Sequence, residues 1–96
     1  MNISDIIQRI ADTTGIPYSA IIGPRRSRKV CMARFLAMGA IRIAFPHWAL
    51  VDVSESLGRA DHATIYHGLC RYRELWDTDQ EFHRQALLCG LPQRIS

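Results

Sequence analysis

The sequence lacks the patterns that mark disulfide-bonded and zinc-binding small proteins. Its three cysteines, Cys31, Cys70 and Cys89, are odd in number, and no two of them form a CxxC pair. We therefore expect no disulfide framework and no structural zinc site, and we place the cysteines at or near the core. His67 and Cys70 are three residues apart and could touch one ion, but two ligands do not make a metal site. The sequence thus predicts no metal and no cofactor.

Long apolar runs are also missing. No run is long enough to span a bilayer, and the start, Met1-Asn2-Ile3-Ser4-Asp5, does not have the form of a signal peptide. We therefore expect a soluble intracellular protein without membrane contact. Hydrophobic residues make up 48% of the 96-residue chain, which is enough for one modest core. We predict a single domain over residues 1–96.

No segment alternates apolar and polar residues in the way of a half-buried strand. Apolar residues recur at helical spacing instead, so we predict an all-α domain of five to six helices. Ser4 is the expected cap of the first helix and Gly15 its end. Pro17 is well placed to open a short second helix, which should end at Gly23.

A long helix is predicted from Val30 to Phe45. Apolar residues cover most of its faces, so it should be the buried central helix. Near the end of the chain, Thr78-Asp79-Gln80-Glu81 has the form of a capping box with Thr78 as the cap. It predicts a last helix that stops at Gly90.

Acidic residues are missing from one stretch. Between Pro24 and Arg42 there are six basic residues and no Asp or Glu. Because the whole chain carries a net charge of +3, the remainder sums to −3. This lopsided distribution is typical of a protein with a polyanionic partner, although a merely solvated basic surface would look the same. The six residues are Arg25, Arg26, Arg28, Lys29, Arg34 and Arg42.

A helix-turn-helix pattern follows the central helix. Residues 49–57 are short and amphipathic, Gly58-Arg59 forms a turn, and a second helix runs from Asp61 to about Trp76. The second helix of such a unit enters the major groove of duplex DNA, where side chains at its start read base edges. The whole unit spans about 49–76. We expect His67 to face its first helix.

The residues at the start of that second helix suit base reading. Asp61 can accept a hydrogen bond from the amino group of cytosine, and His62 can donate or accept one. Ala63 can pack its methyl against thymine, and Thr64 can bond a phosphate at the helix N-terminus. Two ordinary explanations stay open, because Asp61 could simply cap the helix and His62 could be a surface residue.

Catalytic and nucleotide-binding motifs are absent. No GxxxxGK[ST] phosphate-binding loop occurs anywhere in the chain. Serine and histidine side chains such as Ser54 and His62 are present, but nothing resembles a nucleophile elbow. We therefore predict that the chain is not an enzyme.

Together, the basic stretch and the helix start resemble the C-terminal DNA-binding domain (domain IV) of the DnaA family of bacterial replication initiators. The resemblance runs from about Ile7 to Leu75. It implies a helix-turn-helix domain of the Trp-repressor type that binds double-stranded DNA. The pieces that carry it are Arg25-Arg26-Ser27-Arg28-Lys29-Val30, Leu36-Ala37-Met38, Leu57-Gly58 and Asp61-His62-Ala63-Thr64-Ile65-Tyr66-His67.

The resemblance also implies roles for single residues. Arg26 is similar in position to the arginine that enters the minor groove. The residues that look like the base-reading triplet are Asp61, His62 and Ala63. The residues expected to contact or support contacts to phosphate are Arg25, Arg28, Lys29, Arg34, Arg42, Arg59 and Thr64.

Two departures leave the exact DNA site open. Ala63 stands where the family usually has threonine, so a hydroxyl is lost while a methyl remains. Arg59-Ala60 stands where the family usually has Gly-Arg, so an arginine is displaced by one residue. Both departures fall at the positions expected to read or grip DNA.

Because the ATPase motif is missing, we expect a free-standing DNA reader or one piece of a split system, located in the cytoplasm at the nucleoid. The preferred role is a transcription regulator that recruits or blocks RNA polymerase. An alternative is a modulator of replication initiation that binds DnaA-box-like sites or DnaA itself. Another is a protein-interaction subunit of a split regulator, bound to a companion subunit and with only secondary DNA contact.

Overall fold

The computed structural model of the protein describes residues 2–58 and 62–93. Within these residues it forms six α-helices and no strand, which confirms the all-α prediction. None of these helices is both long and apolar enough to cross a membrane. The helices are α1 (Ile3–Thr14), α2 (Tyr18–Ile22), α3 (Arg28–Ala44), α4 (Leu50–Ser56), α5 (His62–Thr78) and α6 (Gln80–Leu88).

Polar caps set the starts of the helices, in two cases at residues other than those predicted. Asn2 rather than Ser4 caps α1, and its side-chain oxygen accepts a 2.9 Å hydrogen bond from the backbone N–H of Asp5. Asp79 rather than Thr78 caps α6, while Thr78 is the last residue of α5. Both predictions were wrong because a second good capping residue stood within two positions of the chosen one.

The predicted breaks around α2 are confirmed. Gly15 ends α1 in the left-handed conformation with φ of 76°, which glycine adopts without steric penalty. Pro17 precedes the first residue of α2, and Gly23 ends that helix. The chain therefore turns twice within a short stretch and delivers the basic residues to one end of α3.

Among the described residues, the central helix α3 contributes more buried apolar side chains than any other helix. It packs against α1, α2, α4 and α5, as expected for a helix that is apolar on most faces. Gly68 on α5 allows a close approach to α3, since a Cβ atom added there would lie 2.0 Å from the Sδ atom of buried Met38. The buried apolar residues of α3 are Val30, Ala33, Leu36, Ala37, Met38 and Ile41.

Aromatic side chains join α5 to α6. Tyr72 is fully buried, lies edge-on to Phe82 with ring centroids 5.5 Å apart, and donates a 2.6 Å hydrogen bond to the carbonyl of Pro92. The half-buried Trp76 donates through Nε1 to the carbonyl of Leu91 at 3.3 Å. These contacts hold α6 and the segment after it against the second half of α5.

Candidate nucleic-acid interface

The basic loop, which we define as residues 24–27, leads from α2 into α3 and is exposed throughout. Ser27 caps α3, and its Oγ accepts a 3.4 Å hydrogen bond from the backbone N–H of Val30. Arg28 and Lys29 are therefore the first helical residues of α3 and not loop residues. Their side chains are exposed as well.

This end of α3 is electrostatically unusual. A helix N-terminus carries partial positive charge, so acidic residues are favoured in its first turn. The first turn of α3 contains no acidic residue. It begins with Arg28 and Lys29, which Ser27 separates from Arg25 and Arg26. Four cations thus lie where the peptide dipoles already attract anions, an arrangement that a bound phosphate backbone would stabilise.

One cation of this group has a protein partner. An Nη atom of Arg28 lies 3.4 Å from a carboxylate oxygen of Asp79, the residue that caps α6. The arginine side chain is 73% exposed in this pair, so solvent screens the attraction strongly. Asp79 therefore restrains Arg28 without neutralising the exposed basic surface.

The turn between α4 and α5 lies beside the start of the basic loop. Gly58 occupies this turn with φ of 70°, a conformation that favours glycine. A Cβ atom added there would lie 3.3 Å from the carbonyl oxygen of Ile22, the last residue of α2. Since the basic loop begins two residues after Ile22, the turn and the base of the loop are neighbours.

The next three residues, Arg59, Ala60 and Asp61, lie outside the described residues, as does the side chain of His62. The base-reading role of Asp61 and His62 and the phosphate role of Arg59 therefore stay predictions. The described backbone does establish that α5 begins at His62.

The first turns of α5 present one exposed face. Ala63 and Thr64 are exposed, while Ile65 is fully buried against the core. Tyr66 and His67 follow one turn later, also exposed, with their rings edge-on at 5.9 Å between centroids. In a helix, residues three and four apart share a face, so Ala63, Tyr66 and His67 form one continuous surface.

His67 was expected to face the first helix of the helix-turn-helix unit, and that prediction was wrong. The apolar stripe of α5 runs through Ile65 and Tyr72, and both residues are fully buried. At about 100° per residue, His67 stands roughly 200° from Ile65 and so points away from the core. Helical periodicity alone could have identified it, together with Tyr66, as part of the exposed face.

Two arginines assigned to phosphates are placed differently from the prediction. Arg34 is only 6% exposed, and its guanidinium donates to backbone carbonyls at the end of α2. Arg42 is half-buried and donates through Nη1 to the carbonyl of Trp48. In this arrangement Arg34 exposes little surface to a phosphate, and its guanidinium is engaged inside the protein instead of at the surface.

The described residues contain no cluster of three or more histidine, cysteine or acidic side chains that could hold a metal ion. The cysteines among them are free thiols, with Cys89 buried and Cys31 and Cys70 half-buried.

A short helix, a glycine turn and a longer helix with an exposed polar start define a helix-turn-helix protein. Comparison with known families matches residues 3–71 to the bacterial dnaA protein helix-turn-helix family. The chain belongs to that family.

Individual relatives agree with the family assignment. The chain is 31% identical over 88 residues to the chromosomal replication initiator protein DnaA of Rickettsia bellii (strain OSU 85-389), which covers 92% of the chain and 19% of that relative. It is 32% identical over 81 residues to the protein of the same name from Cereibacter sphaeroides (strain ATCC 17029 / ATH 2.4.9), covering 84% of the chain and 18% of that relative. The chain thus spans about a fifth of the length of these curated relatives.

Proposed function

We propose that the chain binds double-stranded DNA sequence-selectively with two adjacent elements. The start of α5 lies in the major groove, where Asp61, His62 and Ala63 read bases. The basic loop lies over the neighbouring backbone, with Arg26 in the minor groove, whose negative potential attracts arginine. The carrying observation is the packing of Gly58 against the end of α2, which brings the two elements together.

The phosphate contacts fall on residues that the protein leaves accessible. Arg25, Arg28 and Lys29 are exposed around the start of α3, and Thr64 is exposed in the first turn of α5. Arg59 joins them as a proposed contact from the turn. Membership of a family of DNA-binding helix-turn-helix domains supports this assignment.

Two biological roles follow from DNA reading. Transcription regulation, by recruiting or blocking RNA polymerase, is our first candidate, because a DNA reader can act there without a motor. The relatives are named chromosomal replication initiator proteins, and this favours modulation of replication initiation as the second candidate. The protein would then act at the nucleoid in either case.

The proposal is tested with duplex DNA selected from a random pool. Arg26→Ala is expected to weaken binding to all duplexes, whereas His62→Ala should cost about 1–3 kcal/mol on the selected site and flatten sequence preference. Fluorescence anisotropy at fixed salt measures both. The matched control is Arg9→Ala, which removes an exposed cation beside Ala44 at the far end of α3.

Loss of affinity in the two interface variants with no loss in the control supports DNA reading. If neither interface variant changes affinity, the chain does not read DNA through this surface. In that case a protein-interaction role with DnaA or a companion subunit becomes the better explanation.

A further inference from the structure

One arginine of the basic stretch is turned into the protein. Nε of Arg34 donates to the carbonyl of Ile21 at 2.8 Å, and Nη2 donates to the carbonyls of Ala20 at 3.0 Å and Gly23 at 2.6 Å. The last carbonyls of a helix have no partners within that helix. A single buried guanidinium therefore binds three carbonyls at the end of α2, of which that of Ala20 also accepts from the backbone N–H of Gly23.

The geometry of this contact suits arginine specifically. Three acceptors surround a planar group whose donors diverge in fixed directions, and a guanidinium has five such donors. A lysine ammonium at the same position offers three donors from one point and cannot span the same three carbonyls. The contact thus depends on the directions of the guanidinium donors and not only on the positive charge.

The contact also determines where the basic loop begins. The loop starts directly after Gly23, whose carbonyl is held by Arg34, and ends at Ser27, which caps α3. Arg34 itself belongs to α3. Both ends of the loop are therefore attached to the same helix, with Arg25 and Arg26 on the short span between them.

The contact of Arg34 with the end of α2 also supports the turn between α4 and α5. Gly58 rests against the carbonyl of Ile22, between the carbonyls of Ile21 and Gly23 that Arg34 holds. Movement of the end of α2 would shift the basic loop and the turn before α5 together. The contact between Gly58 and the end of α2 therefore links the position of the basic loop to that of the turn.

We propose that Arg34 is a positioning residue for DNA binding, which fixes the basic loop relative to the recognition helix and does not itself contact phosphate. This inference rests on the proposed function. Preorganised elements bind without a further ordering penalty, so a loosened anchor should reduce affinity even though every DNA-contacting side chain is still present.

Salt dependence separates positioning from phosphate contact. Each cation that neutralises a phosphate contributes about 0.9 to the slope of log affinity against log salt. Arg34→Gln removes the cation, and it should lower the affinity for the selected duplex roughly tenfold with an unchanged slope, since no phosphate contact is lost. The matched control, Arg25→Ala, removes an exposed loop cation and should reduce the slope by about 0.9.

The outcomes distinguish this inference from the proposed function. A wild-type chain that binds no duplex overturns both. A wild-type chain that binds, with an Arg34→Gln variant that either binds equally well or loses about 0.9 of slope, overturns only the positioning role. Affinities are compared at a temperature where circular dichroism finds both variants folded.

A second measurement tests the positioning role of Arg34 if the Arg34→Gln variant does not fold. In the wild-type chain, the Nε proton of Arg34 is followed by NMR before and after addition of the selected duplex. We expect slow exchange and an unchanged chemical shift, because the proton stays on the carbonyl of Ile21. A large shift or a loss of protection on binding would mean that the guanidinium moves to the DNA, against the proposal.

Discussion

The two ends of α5 are built in opposite ways. At its start, Thr64, Tyr66 and His67 are exposed. At its far end, Tyr72 and Leu75 are buried, and aromatic contacts with α6 close the surface. The difference indicates that the far end stabilises the domain while the near end is left open for a partner. Changes at the two ends should therefore affect different measurements.

The largest expected effect is on stability at the far end. Phe82 is fully buried against Tyr72, so Phe82→Ala should lower the free energy of unfolding by about 3–5 kcal/mol. Urea denaturation measures the change. Leu87→Ala on the same helix is the control, since Leu87 is 55% exposed and should change stability by less than about 0.5 kcal/mol. A loss of DNA affinity in the folded Phe82→Ala variant would contradict the separation of the two ends.

At the near end, Ala63→Thr should alter DNA preference rather than stability. The substitution supplies the hydroxyl that the family usually has at this exposed position. We expect the preferred base at one position of the site to change, with about 1–3 kcal/mol of discrimination in favour of the new base. The free energy of unfolding should change by about 0.5 kcal/mol through helix propensity. Selection of bound duplexes with both proteins measures this. Identical selected sites would mean that residue 63 does not face a base.

Asp79 connects the far end of α5 to the basic residues at the start of α3, because it caps α6 and also pairs with Arg28. Asp79→Ala should cost about 1 kcal/mol of stability through loss of the cap, whereas Asp79→Asn keeps a good cap and should cost less. Both should raise DNA affinity by about twofold, since each frees Arg28 and removes a negative charge. Paired denaturation and binding curves test this, and an affinity that follows stability would contradict it.

The smallest expected effect is a dependence of stability on alkaline pH. Burial, with a smaller contribution from Cys89, raises the pKa of Tyr72 above its ordinary value near 10. The neutral phenol is thus favoured in the folded state, so its contribution is complete below pH 10 and is lost as pH rises further. Tyr72→Phe should abolish this part of the decline. Unfolding curves at pH 9 and pH 10.5 for both proteins would reveal it, and identical declines would assign the effect elsewhere.

The sequence predicted the helices well because burial follows a 3.6-residue period. The stripe through Ile65, Leu69 and Tyr72 placed α5, and the apolar length of α3 placed the central helix. The caps of α1 and α6 were misplaced, since neighbouring residues with similar side chains compete for one role.

The candidate site was predicted less completely. The exposed cations at Arg25 and Arg26 were recognisable from charge alone. The inward direction of Arg34 was not, because it depends on carbonyls of α2 that come near only once the chain is folded. One-dimensional charge patterns do not distinguish an arginine on the surface from one that holds a helix end.

In our proposal, the near end of α5 and the basic loop bind duplex DNA together. The most direct test of this proposal is the affinity of the wild-type chain for the selected duplex, measured from 50 to 300 mM salt. With four or five exposed cations on phosphates, the slope of log affinity against log salt should be about −4. A slope near zero, or equal affinity for a scrambled duplex, would contradict the proposal that these two elements bind DNA sequence-selectively.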